Sequence, residues 1–198
     1  MATSSVEICN QALVSLGATE ITALNEDTIN AVLCNRLYED TRDFVLRQHP
    51  WNSALAEQSG LSNTGTTPAI RYDYQFVLPA DPYCLRVLRV ETNDSGSVGT
   101  EIDHEVRGRN LYANESTVNI LFIKRITDIN NFDAMLVRAI ADRLAYLLAF
   151  PITRSAETQA AMLGQYQNSL NEAMAIDSQE GTPDTLVNND LLEFRIRA

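Results

Sequence analysis

Lysine is almost missing from this sequence: Lys124 is the only one among fifteen basic residues. Cationic chemistry therefore falls to arginine, whose planar fork suits partly buried ion pairs and interfaces better than a hydrated ammonium does. A host composition bias gives the same count, and the sequence alone does not separate the two readings. Cysteine is scarce too. Cys9, Cys34 and Cys84 are odd in number, far apart and without a C-x-x-C pair, which argues against a zinc site and a redox dithiol. Each lies in an apolar local pattern, as a buried free thiol does. Histidine occurs only as His49 and His104, in different elements. The motifs H-E-x-x-H, G-x-S-x-G and G-x-x-x-x-G-K-[ST] are absent. The sequence thus calls for no catalytic residue, no metal and no cofactor.

A long apolar run is also lacking. The richest stretch, residues 132–150, contains Asp133, Arg138, Asp142 and Arg143, so it reads as a buried helix and predicts no membrane partner. The start, M-A-T-S-S-V-E, has neither the basic nor the apolar block of a signal peptide, which predicts folding in a cytoplasm. Positive charge is the remaining deficit. The formal net charge is −11, which argues against a grip on a phosphate backbone, because that affinity comes from Lys and Arg. Arg107 and Arg109 flank a turn glycine, but two arginines make a tip, not a groove. Paired carboxylates such as Asp73 with Asp81, or Glu101 with Asp103, are the minimal equipment of a glycoside hydrolase. Among 26 acidic residues such pairs arise by chance.

What is present is helical at both ends and strand-like between. Ser4 and Glu7 form a capping box, Val6, Cys9, Leu13 and Leu16 follow at helical spacing, and Gly17 is a stop, predicting a helix over 5–16. Asp27 is placed to cap a second helix over 28–48, with Ile29, Leu33, Leu37, Phe44 and Gln48 on one face and Val32 and Val45 widening it. Arg36–Asp40 and Asp43–Arg47 are spaced as i,i+4 pairs; Arg36 and Arg42 are alternatively free to reach a neighbouring subunit. Pro50 stops this helix, and the chain turns on its only tryptophan, Trp51.

From there to about residue 127 the period changes. Residues 60–68 read as a loop, and Tyr72, Tyr74 and Phe76 alternate as in a half-buried strand. Cys84 to Glu91 is a second strand, 93–99 a loose connection, and 101–113 a hairpin turning at 107–110. Val118 to Ile126 is nearly continuously apolar and predicts a central strand. Helices then return. Phe132, Leu136, Ile140, Leu144 and Leu148 step by four in a helix ended by Pro151, apolar almost all round and hence central. Ser155 caps a last helix over 156–179, with Leu163, Tyr166, Leu170 and Met174 on its face and Gly164 allowing close approach.

The expected fold class is α+β: an antiparallel four-helix bundle, two helices before and two after, with an inserted small antiparallel β domain and an extended C-terminal arm. The expected boundaries are 1–50, 51–127, 128–180 and 181–198. The arm carries Leu191, Leu192, Phe194 and Ile196 as apolar anchors, with Arg195 and Arg197 between and after the last two.

Three blocks, in order, resemble bacteriophage head-to-tail adaptors of the tail tubular protein A type. They are N-R-L-Y-E-D-T-R-D-F-V-L-R-Q-H-P-W-N at 35–52, L-P-A-D with C-L-R-V-L-R-V within 78–90, and F-D-A-M-L-V-R-A-I-A-D-R-L-A-Y-L-L-A-F-P-I-T at 132–153. Pro82-Tyr83 and Ser53 depart from the pattern. The resemblance implies a structural, non-enzymatic virion protein at the head-tail junction, assembled in the bacterial cytoplasm. It would form a homo-oligomeric ring, commonly twelvefold, between the portal protein and a downstream tail or nozzle protein. Genomic DNA would pass through its channel without specific binding. Arg36, Arg42 and Trp51 become candidates for the ring interface, and the 191–197 anchors for docking on the portal or a neighbour. The alternative function is a tail-associated peptidoglycan hydrolase using Asp73, Asp81, Glu101 and Asp103.

Overall fold

The computed structural model describes residues 4–68, 70–92 and 99–180. Helix α1, Ser5–Ser15, begins where the Ser4 hydroxyl accepts from the Glu7 amide at 3.2 Å. Helix α2, Ile29–Gln48, is capped by Thr28 and not by Asp27, with the Ala31 amide donating to its hydroxyl. Helix α3, Ala134–Thr153, is capped by Asp133. It runs through Pro151 for a further half-turn, because proline removes only its own amide, and the stop comes at Arg154 in the left-handed region (φ 57°). Helix α4, Ala156–Glu180, starts at Ser155, whose hydroxyl accepts from the Thr158 amide.

The buried face of α2 is Ala31, Cys34, Tyr38, Thr41, Arg42, Val45 and Leu46. It is turned by about one residue, or 100°, from the face that hydropathy suggests. Ile29, Val32, Phe44 and Gln48 are exposed, while Leu33 and Leu37 are half-buried. Ala31 and Cys34 lie on the buried face, both fully covered.

Among the described residues six strands follow α2: β1 Leu55–Ser62, β2 Tyr74–Val77, β3 Cys84–Thr92, β4 His104–Arg107, β5 Asn110–Ala113 and β6 Thr117–Lys124. They form two antiparallel sheets, in the orders β1-β6-β3 and β2-β5-β4. The apolar strand β6 is indeed central. Strand β1 falls partly where a loop is expected, and its register slips between Gln58 and Leu61, around Gly60 at φ +65°.

The expectation of a four-helix bundle carrying an inserted β domain is overturned. The helices are split by strands and do not close a bundle: α1, α2 and α4 each lie against α3, while α1 and α2 barely meet. The sheets pack on each other and, at one end, on the helices. Val118, Ile120 and Phe122 of β6 join Phe76, Val90 and Leu111 in a core between the two sheets. Ile123 of the same strand joins Ala54, Ile126 and the helical core, against which Leu85 and Leu88 of β3 pack. The second sheet therefore covers one face of β1-β6-β3, while the helices cover only the Ile123 end of the other face, whose far part carries Glu57, Arg89 and Asn119 around a polar surface pocket. Among the described residues no helix is long and apolar enough to cross a membrane.

Candidate functional site

The most densely bonded polar region is the junction at the end of α2. Pro50 follows the helix, and Trp51 folds back so that its Nε1–H donates to the Val45 carbonyl at 3.1 Å. The His49 ring meets the indole edge-on, with centroids 4.9 Å apart. Asp177, near the end of α4, reaches across to this corner. Its carboxylate lies 3.0 Å from His49 Nε2 and accepts from the Asn52 amide at 3.1 Å, while Asn52 Nδ2 donates to the Asp177 carbonyl at 2.8 Å. At Gln48, the residue before His49, the side-chain Oε1 accepts from the Tyr166 hydroxyl at 2.8 Å. The last helix is thus tied to the point where the chain leaves α2 for the sheets.

Beside this junction the arginines gather. Asp43 does not pair with Arg47; it bridges Arg42 at 2.9 Å and Arg125 at 2.6 Å. The Arg36–Asp40 pair does not form either among the ion pairs of the described residues. Tyr83 is sandwiched between the guanidinium groups of Arg109 and Arg125, at 4.1 and 4.3 Å from the ring centre. Arg109 also donates to the carbonyls of Leu78, Pro79 and Cys84, holding together the turn that joins the two sheets.

No family model matches this chain. Nor does any curated protein match it significantly.

Of the three residues expected at a ring interface, Arg42 is 5% exposed and Trp51 is 1% exposed. Both side chains are bound within their own subunit, so neither offers itself to a neighbour. Arg36 is exposed on α2, as are Ile29 (77%) and Val32 (55%) on the same side of the helix. The spacing 29, 32, 36 puts all three on one face, opposite the buried one. Sequence reading missed this patch because Ile29 and Val32 look like core residues. The arm residues Leu191, Leu192, Phe194, Arg195, Ile196 and Arg197 lie outside the described residues.

The carboxylates weighed for hydrolysis, Asp73, Asp81, Glu101 and Asp103, are all exposed. His104 sits on β4 with its Nδ1 3.2 Å from the Ile102 carbonyl. Among the described residues no group of three or more His, Cys, Asp or Glu could hold a metal ion.

Proposed function

We propose that this protein is a structural adaptor that assembles into a ring at a bacteriophage head-tail junction, between the portal and the tail. The family reading comes from the three ordered sequence blocks. The structural observation that carries its assembly part is the face Ile29, Val32 and Arg36. Two large aliphatic side chains stand mostly in water on a helix whose opposite side is fully packed. Exposed apolar patches rimmed by charge are a mark of protein contacts. Covering two such residues in a neighbour's groove stabilises by about 1.5–3 kcal/mol each before ordering costs. The negative net charge of each subunit suits a channel through which DNA slides without sticking.

Electron microscopy of the purified chain mixed with the portal of the same phage tests the reading. Rings stacked coaxially on the portal are expected. Ile29→Asp with Val32→Asp should leave a folded monomer that no longer forms rings. An intact ring from that double variant would remove the assigned face, and a native chain that never stacks on the portal would remove the adaptor reading.

A further inference from the structure

The arginines beside the junction line a concavity of about 350 Å³. Arg47, Arg86 and Arg125 surround it, with Tyr83, Leu85 and Val106 among its other walls. In a chain with 15 basic and 26 acidic residues this concentration of cations is unusual. It is also poorly neutralised. Among the described residues Asp43 is the one carboxylate ion-paired to this group, and it is shared between Arg125 and Arg42. Arg47 and Arg86 have no acidic partner within ion-pair distance among the described residues. Arg86 Nη1 instead donates to the Arg47 carbonyl at 3.5 Å, and the buried Nε of Arg125 has no hydrogen-bond partner among the described residues. Such a pocket is built for a carboxylate-bearing ligand that also has aliphatic side chains to set against Leu85 and Val106.

We propose that this pocket binds the acidic-apolar segment Asp190-Leu191-Leu192-Glu193-Phe194 of its own chain. The segment supplies two carboxylates for Arg47 and Arg86 and large apolar side chains for the walls. Its cations, Arg195 and Arg197, come after the matching part. Reach favours the same chain. Asp177 is bonded to His49 and Asn52, and Arg47 lies two residues before His49, so the end of α4 is beside the pocket. The nine residues between Glu180 and Asp190 span up to about 30 Å when extended. A tether this short gives an effective concentration on the order of millimolar, which a free competitor must overcome. A DNA backbone would satisfy the arginines but not the aliphatic walls. The inference uses no part of the ring reading and stands or falls without it.

The test is fluorescence anisotropy of a labelled, C-terminally amidated peptide of residues 184–194, titrated with full-length protein. In the native chain the tethered segment competes, so binding should be weak. In full-length Asp190→Asn/Glu193→Gln it should tighten by about tenfold or more, as the tethered competitor is lost. Arg47→Glu/Arg86→Glu should abolish binding, and a peptide carrying Asp190→Arg and Glu193→Arg should restore it on that variant, which also shows the variant is folded. Equal binding by Asp190→Asn/Glu193→Gln with and without the added Arg47→Glu/Arg86→Glu overturns the proposal, as does absence of peptide binding by Asp190→Asn/Glu193→Gln. If duplex DNA binds through Arg47 and Arg86 while the peptide does not, the pocket belongs to nucleic acid and the proposal fails. If the tightening in Asp190→Asn/Glu193→Gln disappears on dilution of the protein, the competing segment comes from a second copy, and the same-chain assignment is overturned.

Discussion

The Tyr38 hydroxyl is buried between α2 and its neighbours without a hydrogen-bond partner. Burial, acting more strongly than the nearby Arg42 charge, pushes its ionisation from 10 up to about 12. The sign follows directly. An unfolded chain ionises this phenol near pH 10 and the folded chain does not, so the stability tied to the neutral phenol is lost as pH rises from 10 towards 12. Tyr38→Phe should therefore flatten the alkaline fall of unfolding free energy, measured by urea titration between pH 9 and 12. At pH 7 it should be neutral or stabilising by up to ~1 kcal/mol, since it removes an unsatisfied buried polar group. The neighbouring thiols part: the hydrogen bond with Cys9 lowers Cys34, while Cys9 is raised. A hydrogen bond to Cys34, with burial next, holds Cys9 protonated, and both cysteines lie in the core. At this scale the sequence was only half legible. Buried free thiols follow from local apolar pattern, but the choice of Asp43 between Arg47 and the pair Arg42 and Arg125 does not. The i,i+4 rule offers Arg47, and tertiary packing brings up Arg125 from 82 residues away in the chain.

Elements tell a different story, because periodicity is a property of elements. The caps at Ser4 and Ser155, the hairpin at 104–113 and the central position of β6 answer to simple patterns, whereas the Asp133 cap does not. Strand β1, L-A-E-Q-S-G-L-S, does not: it has no β-branched residue, and its pairing to β6 is interrupted near a glycine. The junction contact of α4 was likewise invisible, since nothing in the sequence links Asp177 to His49. Its strength is measurable. Asp177→Ala removes two acceptor interactions from Asn52 and His49 and should cost about 1–3 kcal/mol in urea unfolding. Gly164 provides the opposite case. Close helix approach is what a helical glycine suggests, yet a methyl group there would meet open space in the groove beside Gln165 and Asn168. Gly164→Ala should consequently stabilise by roughly 0.5–1 kcal/mol, visible as a raised midpoint in thermal unfolding.

At the scale of the whole molecule the question is whether the sheets could exist without the helices. The change of period at Trp51 and again after residue 127 suggests a unit that could be cut out, and the layer order says otherwise. The β1-β6-β3 sheet has one covered apolar face and a second that is apolar at its Ile123 end. One meets the second sheet through Val118, Ile120 and Phe122. The other, with Leu85, Leu88 and Ile123, belongs to the core that α1, α2, α3 and α4 build, and Trp51 and Ala54 lie in that same core. Exposing such a face removes most of the burial that offsets chain entropy in a domain of this size. A fragment of residues 51–127 should therefore not fold cooperatively: its amide proton spectrum should be collapsed and its thermal trace should show no transition. A fragment that instead gives dispersed resonances and a sharp melt would mean that the sheet layers are self-sufficient. The same reasoning limits what composition can reveal. Hydropathy shows that β6 is apolar along most of its length, but not that its two sides face different partners, because that depends on which elements the fold brings to each face.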